Sequence, residues 1–269
     1  MSRLTCIVLA MCCLSLHDAN AQMLRNTPLG IKDVGIDDRS GKKLPLEAMF
    51  TDSGGTAVRL GQLFASDRPV ILTFNYASCP LLCKLQLNGL VEALRQLQWT
   101  AGKEFQVVSI SIDPLETTQQ AAISKQNHVT AYGRADSASG WTFLTGSPTS
   151  IAAATDAAGF RYKFLPKQRE FSHTAAAIVC MPDGVISRYL YGVQFDPETV
   201  RLSIAEASAG KIGSPLDQLL LFCFRYDSST GKYAPAAWTL MRFGAITTIV
   251  VLTTLIFRYR FASGRPVTQ

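Results

Sequence analysis

The chain has 269 residues, of which 48% are hydrophobic and 17% are charged, and its formal net charge is +6 at pH 7. Four of these positive charges belong to Arg242, Arg258, Arg260 and Arg265, near one end of the chain. No clustered basic patch is left to hold a phosphate backbone, so the composition argues against a nucleic-acid-binding protein.

The first 21 residues have the pattern of a secretory signal peptide. Arg3 is a single early charge, residues 4–16 are apolar, and Ala19-Asn20-Ala21 offers a small-residue cleavage site. The mature chain is therefore predicted to begin near Gln22. Three of the seven cysteines lie in the signal, so four remain after its removal.

The central part of the chain alternates between strand and helix patterns. Residues 22–43 are polar and rich in Gly and Asp, and they are predicted to form a flexible lead-in. The predicted strands are 70–76, 105–113 and 141–146, the predicted helices are 83–98, 116–131, 148–159 and 196–209, and a hairpin is predicted at 175–192 around Pro182-Asp183-Gly184. This order predicts an α/β domain in which a central mixed sheet is flanked by helices.

The C-terminal part predicts a membrane anchor. Residues 236–257 are apolar apart from Arg242 and some threonines, and about 20 such residues suffice to cross a bilayer. Basic residues follow in 258–269, which is predicted to be a cytoplasmic tail, while 211–235 is predicted to be a juxtamembrane segment. The alternative is a buried C-terminal helix. The favoured topology is single-pass in the inner membrane, with the domain on the periplasmic side.

Cys79 and Cys83 stand four positions apart where a predicted strand gives way to a helix. Pro80 suits the first helical position, so Cys79 is predicted to cap the helix, where free amides and the helix dipole stabilise a thiolate. Cys79 is thus expected to be the more acidic and the more exposed thiol. Cys83 lies one turn later on the same face, close enough for a disulfide. Alternatively, the two thiolates converge on a soft ion such as Cu(I).

Two other interpretations of the cysteine pair are weaker. A structural disulfide usually links distant segments and stabilises through a long closed loop, whereas this loop is very short. A closed zinc site usually needs four ligands, often as two Cys/His pairs, and the mature chain has no second pair.

The mature chain has only two histidines, His128 and His173, as candidates for a third ligand. His128 lies near the end of a polar predicted helix and is expected at the surface. His173 comes just before the predicted hairpin, where a loop can bring it over the start of the cysteine helix. The residues alone leave His173 open between a surface position and a metal ligand.

The remaining chemically notable residues favour structural roles. Cys180 lies on an apolar strand and is predicted to be a buried free thiol. Cys223 is predicted to be packed or interfacial, with a relay of copper or a disulfide as the alternative. Asp113 is predicted to be a turn residue. Tyr76 and Phe171 flank the candidate ligands and are predicted to pack there, or to shield the site from water.

Residues 44–210 resemble the Sco/SenC proteins, which are thioredoxin-like copper-binding assembly factors for cytochrome c oxidase. The resemblance is carried by "TFNYASCPLLC", by "VVSISIDPLET" and by a histidine before "MPDGVISRYLYG". It implies a thioredoxin-like fold and a copper site formed by Cys79, Cys83 and His173. It implies Cu(I), with Cu(II) as a second state, and a partner in the copper-accepting subunit of a respiratory oxidase. A copper donor or a thiol reductant is a further expected partner.

The sequence also departs from the better-known members of this family. Lys84 replaces the proline that usually follows the second cysteine, and Ser172-His173 replaces an Asp-His pair. The predicted anchor is C-terminal rather than N-terminal, which is similar to a bacterial branch that includes "GSPLDQLLLFCFRYDSSTGKY" before the membrane span. These departures affect which client protein is expected and whether copper chemistry or thiol chemistry is expected to predominate.

The predicted function is that of a copper metallochaperone, and two alternatives use the same cysteines. In a thiol-disulfide oxidoreductase, Cys79 attacks a disulfide of the client and Cys83 resolves the mixed disulfide. In a peroxiredoxin-like peroxidase, peroxide forms a sulfenic acid on Cys79. If the protein delivers copper, its function should depend strongly on His173. If it carries out thiol chemistry alone, its function should depend little on His173.

Overall fold

A computed structural model describes residues 33–212, 226–227, 232–233 and 235–262. The predicted signal peptide at 1–21 lies outside the described residues. Cys223 and most of the predicted juxtamembrane segment lie outside them as well.

The described residues form strands of two to six residues and five α-helices. The strands are β1 (Gly35–Ile36), β2 (Met49–Asp52), β3 (Ala57–Arg59), β4 (Val70–Asn75), β5 (Gln106–Ser111), β6 (Trp141–Gly146), β7 (Phe160–Arg161), β8 (Lys163–Leu165), β9 (Glu170–Ser172), β10 (Ala176–Cys180), β11 (Ile186–Tyr191), β12 (Tyr226–Asp227) and β13 (Lys232–Tyr233). The helices are α1 (Leu82–Gln96), α2 (Thr118–Tyr132), α3 (Pro148–Ala157), α4 (Pro197–Ser208) and α5 (Pro235–Ala262). Every strand and helix predicted between residues 70 and 210 is present, with ends shifted by one or two residues at most.

The largest sheet has seven strands in the order β11-β10-β4-β5-β6-β2-β3. Its centre is parallel, because β5 pairs in parallel with β4 and with β6. The flanking strands are antiparallel. All six residues of β4 are buried, as expected for a central strand that is covered on both faces. The mixed sheet of the predicted thioredoxin-like fold is confirmed.

Two apolar clusters hold the sheet between its helices. Along β4, Leu72 and Phe74 belong to the first cluster, which also contains Ile151 of α3. Ile71 faces the opposite side and belongs to the second cluster, which contains Leu90 of α1 and residues of α2 and α4. Burial of each such side chain contributes roughly 1.5–3 kcal/mol, so the carboxyl end of β4 is fixed from both faces.

Local sequence explains where most helices begin. Thr117, Ser147 and Asp196 each accept a hydrogen bond from a backbone N–H in the first turn of α2, α3 and α4. Pro148 and Pro197 then occupy early helical positions, where no N–H is needed. The helix that carries Cys83 lacks this kind of start.

Part of the predicted flexible lead-in is hydrogen-bonded to the domain. Strand β1 pairs with β7, Gly41 N–H donates to the carbonyl of Ile186, and Ile186 N–H donates to that of Lys42. The sequence did not predict this contact because the segment is polar and makes its bonds through the backbone, which leaves no apolar pattern.

Helix α5 covers the predicted transmembrane segment at 236–257. Within the part of the chain that the structure describes, no helix is both long and apolar enough to cross a membrane. The predicted transmembrane helix is therefore not confirmed.

Candidate metal centre

Cys79, Cys83 and His173 come together at one end of the sheet. Their sulfur and ring nitrogen atoms all lie within 4.8 Å of one another, and all three residues are buried. The structure thus brings together the three predicted ligands. Among the described residues, no second group of three Cys, His, Asp or Glu side chains is close enough to hold a metal ion.

The cysteine helix begins later than the sequence predicts. Helix α1 starts at Leu82, and Leu81 precedes it without a side-chain cap. The prediction that Cys79 is the cap residue and Pro80 the first helical residue is therefore wrong. Cys79 lies in the preceding turn, and its Sγ accepts a hydrogen bond from Cys83 N–H at 3.3 Å. The sulfur takes the place of a capping oxygen for one of the free amides at the helix start.

The two cysteines differ in acidity. The hydrogen bond from the Cys83 thiol is the largest cause that lowers the pKa of Cys79 to about 3, although burial opposes this shift. The same hydrogen bond, together with burial, raises the pKa of Cys83 far above its usual value. The prediction that Cys79 is the more acidic thiol is confirmed, and the largest cause of its lowered pKa is the thiol of Cys83.

Both cysteines are free and shielded from solvent. Cys79 is 4% exposed and Cys83 is 3% exposed. The prediction that Cys79 is an exposed thiol is therefore wrong. The loop before α1 folds over the first apolar cluster, to which both cysteines belong, and this packing removes the sulfur atoms from water.

His173 presents the ring nitrogen that a metal needs. It lies in the short link between β9 and β10, where its Nδ1 is 3.1 Å from the carbonyl oxygen of Thr174. Nδ1–H donates to that carbonyl, which leaves the lone pair of Nε2 directed at Cys83 Sγ, 3.3 Å away. Metal-binding histidines commonly have their other nitrogen fixed in this way.

Gln86 connects the cysteine helix to the strand that follows His173. Its Nε2 donates to the carbonyl oxygen of Ala176 at 2.7 Å, and the side chain is fully buried. Gln86 lies one turn after Cys83, so this bond sets the distance between α1 and β10 close to the ligands. The sequence analysis did not single out Gln86. The signal for its role was a glutamine on the apolar face of the helix.

Aromatic rings cover one side of His173. The ring centroids of Tyr76 and Phe160 lie 6.1 and 5.9 Å from that of His173, and Tyr76 packs edge-on against Phe171 at 5.3 Å. The Tyr76 hydroxyl accepts the backbone N–H of Phe171 at 3.2 Å. The prediction that Tyr76 and Phe171 pack beside the candidate ligands is confirmed.

The carboxyl group of Glu116 holds the loop that leads from β4 to Cys79. Glu116 accepts hydrogen bonds from Ala77 N–H and from Ser111 Oγ, each at 2.7 Å. Burial raises the pKa of Glu116. Asp113 accepts the N–H of Leu115 at 2.9 Å, which confirms its predicted turn role. The sequence did not predict this role for Glu116, because nothing in the neighbouring residues distinguishes it from an exposed glutamate of the same turn.

His128 and Cys180 lie outside the ligand group. The prediction that His128 is a surface residue is wrong. It is 8% exposed, stacks on Phe143 at 5.9 Å, and bonds to the Ser124 carbonyl through Nδ1 at 2.7 Å. The prediction that Cys180 is a buried free thiol is confirmed, and burial raises its pKa.

The chemistry of the three ligands fits copper. Two sulfur atoms and one imidazole nitrogen form a soft ligand set that favours Cu(I) over hard cations, which prefer oxygen. A closed zinc site normally has a fourth ligand, and the described residues supply no fourth Cys, His, Asp or Glu to this group. Three ligands leave one position open to an incoming group.

Comparison with known proteins agrees with this site. Residues 45–208 match the family described as SCO1/SenC. The fold is similar to that of a putative electron transfer protein from Aquifex aeolicus, with a TM-score of 0.57 and 23% identity over 64% of this chain and 95% of that chain. It is also similar to Arabidopsis thaliana ScoI with copper bound, with a TM-score of 0.51 and 20% identity over 64% of this chain and 99% of that chain.

At these identities the structural likeness concerns the fold. No curated protein sequence matches this chain. The family match, by contrast, covers more than half of the chain and contains Cys79, Cys83 and His173. This chain therefore belongs to the SCO1/SenC family.

Proposed function

We propose that the protein is a copper metallochaperone that binds one copper ion through Cys79, Cys83 and His173. The observation that carries this proposal is the approach of all three ligand atoms to within 4.8 Å of one another in a buried site. The similarity of the fold to that of Arabidopsis thaliana ScoI with copper bound supports it. The client is proposed to be the copper-accepting subunit of a respiratory oxidase.

The site suits a cargo that must be held and then released. In the reduced state the two sulfur atoms and Nε2 of His173 can bind one Cu(I) as a three-coordinate ion. A thiolate of the client can take the open position, after which the ligands exchange one at a time. A disulfide between Cys79 and Cys83 removes both sulfur ligands, so the redox state of the pair controls loading.

The position of His173 favours copper over the two thiol-based alternatives. A thiol-disulfide oxidoreductase or a peroxidase needs an acidic cysteine, which Cys79 provides. Neither of these functions needs a buried imidazole whose free nitrogen faces the second cysteine. Metal binding explains this arrangement, because a neutral imidazole nitrogen is a common metal ligand.

An anaerobic competition assay for Cu(I) on the reduced full-length chain tests the proposal. We expect one tightly bound copper per chain, and loss or strong weakening of binding in His173→Ala. His128→Ala and Cys180→Ser are matched controls, because each removes a buried histidine or cysteine outside the ligand group. Both controls should bind copper as the parent does. Tight binding that is indifferent to His173 would instead support a thiol-disulfide oxidoreductase.

We also propose that the domain works on the outer side of the cytoplasmic membrane. The support comes from the sequence, namely the signal-like residues 1–21 and the basic tail at 258–269. Mass spectrometry of the protein from its native host should give an N-terminus near Gln22. Protease added to spheroplasts should digest the domain, and a domain that stays intact would contradict this location.

A further inference from the structure

A cleft lies between α1 and α2, beside the metal centre. Its volume is about 440 Å³, which is within the range of about 300–1,000 Å³ that is typical of small-molecule sites. Asn75 and Ser111, the last residues of β4 and β5, line it. The cleft therefore lies at the carboxyl ends of two parallel strands, which is where ligands bind in open α/β sheets.

The residues of β4 and β5 that line the cleft are polar, although they are buried. Asn75, Ser109 and Ser111 are each 4% exposed. Asn75 Oδ1 accepts a hydrogen bond from Ser109 Oγ at 3.1 Å, whereas Asn75 Nδ2 has no partner among the described residues. A buried N–H without a partner is unfavourable, and nearly all such groups in native proteins are paired. The cleft therefore offers a donor to an acceptor atom of a ligand.

Charged and amide side chains complete the lining of the cleft. Lys84 and Asn88 belong to α1, and Gln120 and Asn127 belong to α2. Lys84 is exposed, and it forms no ion pair with any residue that the structure describes. Glu116 is the one acidic residue in the described lining, and its Oε2 already accepts two hydrogen bonds. An unpaired ammonium group beside several amides suits a ligand that has a carboxylate and peptide groups.

Cys83 connects the cleft to the metal centre. It is the only one of the three proposed ligands in the lining, which includes neither Cys79 nor His173. A molecule bound in the cleft is therefore next to Cys83 and not next to Cys79. A disulfide sulfur exchanges its partner when a thiolate attacks it, so a ligand that reduces a disulfide at Cys83 must carry a thiol.

We propose that the cleft binds a small thiol peptide with a free carboxylate, and that this ligand reduces the Cys79–Cys83 disulfide by attack on Cys83. Lys84 holds the carboxylate, and the amide groups of the cleft hold the peptide groups. The inference rests on the proposed function, because it names the class of reductant that returns the cysteine pair to its copper-binding form.

The reaction has two steps. In the first step, the thiolate of the ligand attacks Cys83 Sγ, a bond forms between these two sulfur atoms, the Cys79–Cys83 bond breaks, and Cys79 leaves as a thiolate. In the second step, another molecule of the thiol attacks the ligand sulfur of this mixed disulfide and releases Cys83. Overall, the protein disulfide and two ligand thiols give two cysteine thiols and one ligand disulfide. Two electrons and two protons pass from the ligand to the protein.

The test measures how fast the oxidised, copper-free full-length chain is reduced by glutathione, a tripeptide thiol, and by 2-mercaptoethanol, a small neutral thiol. A thiol that binds before it reacts gives a rate that saturates with its concentration, whereas reaction on collision gives a rate that rises linearly. We expect saturation with glutathione and a linear rise with 2-mercaptoethanol. S-methylglutathione, which has no free thiol, should compete with glutathione and slow the reduction.

Two variants locate the binding site. Lys84→Met removes the cation, and the ratio of the glutathione rate to the 2-mercaptoethanol rate at low concentration should fall about tenfold. Ser124→Leu places a larger side chain in the cleft from α2, so it should abolish saturation and the effect of S-methylglutathione. Lys103→Met is the matched control, because Lys103 is an exposed lysine before β5, at the opposite end of that strand. Its rate ratio should equal that of the parent.

The site of attack is measured separately. Peptide mapping of acid-quenched reactions should find glutathione bound to Cys83. Glutathione found on Cys79 alone would overturn the proposed route.

A linear glutathione rate in the parent would overturn the proposal, as would a parent that forms no Cys79–Cys83 disulfide. Saturation that is unchanged in both Lys84→Met and Ser124→Leu would show that glutathione binds elsewhere and would also overturn it. If Ser124→Leu does not fold, Lys84→Met still decides, because it changes an exposed side chain. If the parent binds no copper, the proposed function fails, and these copper-free rates still decide whether the cleft binds a thiol peptide.

Discussion

Sγ of Cys83 lies 3.3 Å from Nε2 of His173, although 90 positions separate the two residues in the chain. Cys83 belongs to the first turn of α1, and His173 belongs to the link before β10. Their approach therefore depends on how α1 sits against β10. The buried bond from Gln86 to the carbonyl of Ala176 joins these two elements next to the ligands.

We predict that Gln86→Met weakens copper binding without removing a ligand. Methionine has a similar size but cannot donate to the carbonyl of Ala176. It also removes the buried Oε1 of Gln86, which has no partner among the described residues, so the loss of stability should be about 1 kcal/mol. Cu(I) affinity should fall about tenfold, as is typical when a group that supports a metal ligand is lost. Urea denaturation and Cu(I) competition measure the two effects.

The control for this variant is Gln96→Met. Gln96 is on the same helix, but it is exposed and distant in sequence from the ligands. Its replacement should leave both the stability and the Cu(I) affinity close to the parent values. An unchanged Cu(I) affinity in Gln86→Met would show that α1 and β10 keep their distance without this bond.

Local patterns were sufficient to predict the cysteine half of the site. The apolar run of β4, Pro80 and the helical spacing after Cys83 are all short-range signals. They placed the cysteine pair where a strand gives way to a helix, and they placed the helix start within two residues of the observed start of α1. The exact cap was missed because the helix begins only at Leu82, so Cys79 accepts the amide of Cys83 from the turn before the helix.

The histidine half could not be predicted from local patterns. The contact of His173 with Cys83 is long-range, and the strands before it, β8 and β9, have only three residues each. The resemblance to a known family pointed to His173, whereas the residues alone left it open. His128 was misplaced for a related reason, since its helix reads as polar although one side of it packs on Phe143.

We predict that Gly89→Ala destabilises the domain and weakens copper binding. Alanine normally stabilises a helix by about 1 kcal/mol relative to glycine. Here the added Cβ would lie 1.9 Å from the carbonyl oxygen of Val193, so α1 or the loop at Val193 must move. We expect a net loss of about 1–3 kcal/mol in urea denaturation, with weaker Cu(I) binding because α1 carries Cys83.

The neighbouring Asn88→Ala serves as the control for Gly89→Ala. Asn88 is exposed on the same turn of α1, so its replacement should change stability by less than about 0.5 kcal/mol. If Gly89→Ala were as stable as Asn88→Ala, the close approach of α1 to Val193 would be contradicted.

We predict that Glu116 makes the domain less stable as the pH rises. Burial raises the pKa of its carboxyl group above the ordinary value of 4.5, so the native state binds this proton more tightly than the unfolded state. The contribution of Glu116 to stability is thus fully present below pH 4.5 and is lost as the pH rises through the native pKa. Glu116→Gln removes this titration, so the variant should gain stability relative to the parent from about pH 4 to about pH 7. Urea denaturation over this range measures the difference, and a constant difference would contradict the prediction.

We predict the opposite dependence for His128. Burial lowers the pKa of its imidazole below the ordinary value of 6.5, so the native state holds the neutral ring and resists protonation. The contribution of His128 to stability is therefore present above pH 6.5 and is lost as the pH falls. The parent should lose stability relative to His128→Gln between about pH 8 and about pH 5. Thermal denaturation of both copper-free proteins followed by circular dichroism measures this, because His173 is common to both and cancels in the difference. Melting temperatures that fall in parallel would show that the ring of His128 is protonated as easily in the native state as in the unfolded chain.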